Sequence, residues 1–72
     1  SFEAKLERAA AELVSGGIDS EDAKLLAQSG FTSLDGIVEE GAEAVADATG
    51  LDYATASTIV AKAIAATEGA SR

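Results

Sequence analysis

The side chains in this sequence that could do chemistry are carboxylates. Thirteen Asp and Glu residues stand against five Lys and Arg, and the chain has no histidine and no cysteine. Disulfides, thiolate or imidazole metal sites, a histidine base and a cysteine nucleophile are therefore excluded. Two carboxylates can in principle work as acid and base, but that needs a pKa displaced by burial or by a close partner. A bundle of 72 residues is expected to offer no cleft that would desolvate them. No enzyme, no cofactor and no metal is expected. The densest acidic group is Glu39, Glu40, Glu43 and Asp47. Glu43 and Asp47 lie one helical turn apart and repel weakly. Like charges held together without compensation can mark a site for a protein partner; a solvated face is the alternative.

Asp19 and Asp52 occupy a different kind of position. Gly17-Ile18-Asp19 is repeated as Gly50-Leu51-Asp52, 33 residues downstream. Three variable residues, an alanine, two more variable residues and an aliphatic follow in both copies, so Ala23 falls on Ala56 and Leu26 on Ile59. A solenoid needs three or more units and capping ends. Two copies fit a closed, pseudo-symmetric pair instead. Each copy encodes a hairpin between helices: glycine tolerates the positive φ of a tight turn, the aliphatic residue plugs the groove between the flanking helices, and Asp is a strong N-cap.

The chain is long enough for one domain, residues 1–72, and reads as a piece of a longer protein. A domain of this size buries only about 60% of the surface its unfolded chain exposes. Its apolar content is mainly alanine with Leu, Ile and Val, aromatics are 4%, and there is no proline. That composition favours closely spaced helices. The formal net charge of −8 leaves little with which to build the basic face that phosphate contacts require. A basic or amphiphilic protein is the more natural counterpart, and solubility alone is the other reason for such charge. No apolar run approaches the ~20 residues of a membrane span and no signal-peptide pattern is present, so the expectation is a soluble, cytoplasmic monomer.

Taken in order, Phe2, Leu6, Ala9, Ala10, Leu13 and Val14 recur at helical spacing, predicting a first helix over about Phe2 to Val14. Ser15-Gly16-Gly17 stops it. Asp19 caps a second helix, with Ala23, Leu26 and Ala27 inward, until Gly30 ends it and Phe31 folds back onto Leu26 in a Schellman stop. Thr32-Ser33 starts a short third helix with Leu34, Ile37 and Val38 inward. Gly36 inside it implies either fraying or the close approach of a neighbouring backbone. Glu39-Glu40-Gly41 breaks the run, and a fourth helix follows over about Ala42 to Thr49 with Val45 and Ala48 inward. Asp52 caps the fifth and longest. Its stripe is Ala56, Ile59, Val60, Ala63 and Ile64, Lys62 lies off that stripe, Tyr53 in its first turn is read as half-buried packing with an exposed contact as the alternative, and Gly69 stops it.

The predicted fold is thus all-α, with two helix-hairpin-helix units flanking a short connecting helix, five helices in all. Such hairpins usually bind nucleic acid by resting a phosphate on backbone amides at the N-terminus of the following helix. The usual pattern is Gly, aliphatic, Gly with basic residues near. Here Asp19 and Asp52 stand where the second glycine would, and a capping carboxylate satisfies those amides and repels a phosphate. Lys24 is the only lysine near either hairpin.

The segments Leu13 to Leu26, Gly30-Phe31-Thr32-Ser33-Leu34-Asp35-Gly36-Ile37, Glu40-Gly41, Val45 to Asp52 and Ala56 to Ala63 resemble the acidic repeats at the C-terminus of the bacterial transcription factor NusA. The resemblance covers roughly Leu6 to Ala66. The same hairpin grammar occurs in the C-terminal domain of the RNA polymerase α subunit, in N-terminal domains of some recombinases and in several repair proteins. The acidity and the Gly-Phe-Thr-Ser-Leu-Asp segment favour NusA. The resemblance implies a SAM-like double helix-hairpin-helix domain and a cytoplasmic, non-catalytic module of an elongation, termination and antitermination factor. It would bind the RNA polymerase α C-terminal domain or an antitermination protein, or fold back over the RNA-binding domains of its own chain. No exact contacts carry over, and Gly36 departs from the helix-favouring residues commoner in that family. A DNA-binding double hairpin of a repair or recombination protein is the alternative, which Lys5, Arg8, Lys24 and Lys62 gathered on the hairpin face would favour.

Overall fold

The computed structural model describes residues 1–70, and every regular element among them is an α-helix: α1 Phe2–Ser15, α2 Ser20–Gln28, α3 Leu34–Thr49 and α4 Tyr53–Ala70. The count is four helices, not the five expected. The two short helices predicted on either side of Glu39-Glu40-Gly41 are halves of α3. Gly41 alone departs from helical geometry, with φ 86° and ψ 169°. One residue in that conformation redirects the chain without a loop, and glycine adopts it at no steric cost.

The local signals explain most of the boundaries. The hydroxyl of Ser1 accepts from the Ala4 amide at 3.2 Å, and that of Ser33 accepts from the Gly36 amide at 3.0 Å, so both helices start on a serine cap. Two successive Schellman stops end α1 and α2. Gly17, at φ 97°, donates to the Val14 carbonyl while Ile18 donates to Leu13. Gly30, at φ 99°, donates to Ala27 while Phe31 donates to Leu26 at 2.9 Å. The α3 stop is simpler: Gly50, at φ 79°, donates once, to Ala46 at 2.9 Å. Gly36 neither frays the helix nor admits a neighbouring backbone, because a Cβ there would meet only the Ser33 hydroxyl, at 3.1 Å. Gly69 does not stop α4, which runs on to Ala70.

Packing is pairwise, α1 on α2 and α3 on α4, and one core joins the pairs. Leu13, Leu26, Ile37 and Val45 are its largest fully buried side chains, each contributing about 1.5–3 kcal/mol by burial. From α4 the core receives Ala56, Ile59 and Ala63, and the two alanines are small enough for α3 to approach closely. Phe31 packs against this cluster, as its Schellman stop requires. Several positions expected to face inward do not: Val14, Ala48 and Ile64 are exposed, as are Phe2 and Tyr53 at 75% and 63%. A helix with one principal neighbour buries one arc of its surface. On α1 that arc centres on Ala9, Ala10 and Leu13, and the rest of a wide apolar stripe stays outside.

Candidate functional site

The two turns repeated in the sequence occupy equivalent places in the fold. Gly17-Ile18-Asp19 leads from α1 into α2, and Gly50-Leu51-Asp52 from α3 into α4. Ile18 is buried and Leu51 is half-buried against the core, so each aliphatic anchors its turn from beneath. Each aspartate then reaches forward to cap. Asp19 Oδ2 accepts from the Glu21 amide at 3.2 Å, and Asp52 Oδ1 accepts from the Thr55 amide at 2.7 Å. The Thr55 hydroxyl, and then its amide, hold the Asp52 carboxyl below its ordinary value of 3.8. At each turn a carboxylate thus sits on an amide that a bound phosphate would need, and Glu21 and Asp22 add negative charge to the first turn of α2.

Comparison of the chain with protein-family models, with curated proteins and with solved structures finds no match.

Among the described residues the cations are not gathered at these turns. Lys5 and Arg8 lie with Glu12 and Thr32 around one shallow depression, and Lys24 faces a separate groove between α1 and α2 that also holds Glu3 and Glu7. Arg8 is seven residues from the end of α1, about 10 Å along the axis. Lys62 is ten residues beyond Asp52, about 15 Å along α4.

The acidic group on α3 is split. Glu39, Glu40, Glu43 and Asp47 are all exposed, but the non-helical Gly41 separates the first two from the last two. Glu39 and Glu40 therefore lie on one helical segment, and Glu43 and Asp47, one turn apart, on the other. Among the described residues no group of three or more carboxylates is arranged to hold a metal ion, and no helix is long and apolar enough to cross a membrane.

Two features escaped the sequence reading. The pair Gly16-Gly17 reads as a single stop signal, yet the two glycines do different things. Gly17 supplies the positive φ, whereas Gly16, at φ −84°, leaves room for Leu34: a Cβ there would lie 2.7 Å from both Leu34 methyl carbons. The second feature is the groove itself, about 560 Å³, lined on the α1 side by Leu6, Ala10, Ala11 and Val14. A cleft was not expected in so small a bundle. The surplus of apolar residues on α1 is its only signal in the sequence.

Proposed function

We propose that this chain is a non-catalytic protein-recognition module built as a double helix-hairpin-helix domain, of the kind that the resemblance to NusA acidic repeats implies. Its partner would be the RNA polymerase α C-terminal domain, an antitermination protein, or the RNA-binding domains of its own longer chain, in the cytoplasm. One observation carries the reading. At both hairpins an aspartate side chain occupies the helix-start amide where a nucleic-acid backbone would dock. The separation of Lys5 and Arg8 from Lys24, on different surfaces, supports it further. Exposed Glu43 and Asp47, with Glu39 and Glu40 across the Gly41 bend, would steer a basic partner surface. Rim charges of this kind act more on association rate than on affinity.

The test is a pair of titrations. Labelled duplex DNA, followed by anisotropy from low to physiological salt, is expected to give no specific binding, whereas purified α C-terminal domain is expected to bind. Duplex binding whose logarithm falls steeply with log salt, with a slope of about −0.9 per phosphate contacted, would overturn the reading and restore the repair or recombination alternative.

A further inference from the structure

Along the side of α1 that faces α2 the apolar residues form a ridge, with Ala11 and Val14 exposed, Leu6 half-buried and Ala10 buried at its base. Leu6, Ala10 and Val14 follow one another at i, i+4 spacing, with Ala11 beside them, and the ridge runs about 12 Å, or two helical turns. It forms one wall of the 560 Å³ groove, and Val14 is 43% exposed although nothing in its chemistry favours water. The opposite wall is the polar face of α2, where Ser20, Lys24 and Gln28 are spaced one turn apart. Glu3 and Glu7 flank the ridge. The groove is therefore apolar along its α1 wall, acidic at one edge, and carries one cation opposite.

We propose that this groove binds an amphipathic helix of a partner protein, its apolar stripe on Leu6, Ala10, Ala11 and Val14 and its Lys or Arg residues against Glu3 and Glu7. This rests on the reading of the chain as a protein-recognition module and names a surface on it distinct from the acidic residues of α3. An amphipathic helix fits because an apolar wall of two turns accepts residues at i, i+3 or i+4, and i+7. Charge selects the occupant: a partner helix with cations along one side meets Glu3 and Glu7 and a chain of net charge −8, whereas a second copy of this chain brings a further −8 to the contact.

Two synthetic helical peptides with the same leucine stripe test this, one with a Lys/Arg polar face and one with a Glu polar face. Binding is measured by calorimetry at physiological ionic strength, where exposed charges are screened over about 8 Å, and the contact surface by amide shift mapping. The basic peptide is expected to bind at least about tenfold more tightly than the acidic one, with shifts on α1 and α2. Val14→Glu, and independently Ala11→Tyr, should weaken it by about tenfold; both sites are exposed, so circular dichroism should show an unchanged fold. Val14→Glu adds a negative charge, so undiminished or tighter binding of the basic peptide would mean attraction by charge alone and would overturn the groove. Equal binding of both peptides, no binding of either, or shifts on α3 with loss in Glu39→Lys/Glu40→Lys/Glu43→Lys would also overturn it. So would a concentration-dependent dimer in sedimentation that Val14→Glu abolishes. None of these results bears on duplex binding, so the protein-recognition reading fails separately.

Discussion

Gly16 offers a test in which the sign of a stability change depends on one distant side chain. Its φ of −84° and ψ of 3° are open to any residue, so Gly16→Ala should stabilise by about 0.4–1 kcal/mol through the unfolded chain alone. The new methyl, however, would stand 2.7 Å from Leu34 Cδ1 and Cδ2 and 3.3 Å from Cγ. Overpacking of that kind costs about 1–3 kcal/mol. Leu34 is half-buried and its tip can turn, which leaves a net loss of about 1 kcal/mol, or roughly 4–8 °C in Tm for a domain of this size. With Leu34→Ala as background the obstruction is gone, and Gly16→Ala should raise stability above the Leu34→Ala single variant. Urea denaturation of the four proteins, with unchanged m-values, reads the cycle. If Gly16→Ala stabilises both backgrounds alike, the contact between the first hairpin and the start of α3 does not govern that position, and the reasoning is wrong.

Gly41→Ala should destabilise by about 1–3 kcal/mol, because φ 86° with ψ 169° is open to glycine and strained for other residues; thermal melts check this, and a neutral result would mean that α3 does not need its bend. Leu26→Ala removes a fully buried side chain and should cost about 2–5 kcal/mol. Against a total of about 4–11 kcal/mol for a chain of this length, that should leave a visible unfolded population in calorimetry. For pH, the folded-state pKa of Asp52 is lowered by Thr55, so the ionised form is the one the fold favours. Its contribution is present above the unfolded carboxylate range, about 3.9, and is lost as pH falls through the lower folded value. Asp52→Asn should therefore flatten the acid limb of the stability curve below pH ~4 and leave a smaller effect of pH; an unchanged limb would remove Asp52 from the account. Glu39→Lys/Glu40→Lys/Glu43→Lys should leave helical content unchanged, since all three are exposed, and slow association with the α C-terminal domain in surface plasmon resonance.

What the sequence determined is local. The helical class, the left-handed glycines at 17, 30 and 50, the serine and aspartate caps, and the return of Phe31 onto Leu26 all follow from residues within a turn of one another, and short-range sterics and hydrogen bonds decide such features before any tertiary contact forms. The 33-residue repeat likewise located both hairpin turns, because each is specified by three adjacent residues. Tertiary structure decided the rest. Whether Gly41 ends a helix or bends one depends on what the two halves of α3 pack against. Which part of the α1 stripe is buried depends on its having one principal neighbour, so Leu13 enters the core while Val14 faces a groove. The division of labour between Gly16 and Gly17 is invisible without Leu34, eighteen residues away. Periodicity reports that a face is apolar; only the geometry of its neighbours sets how much of that face they cover.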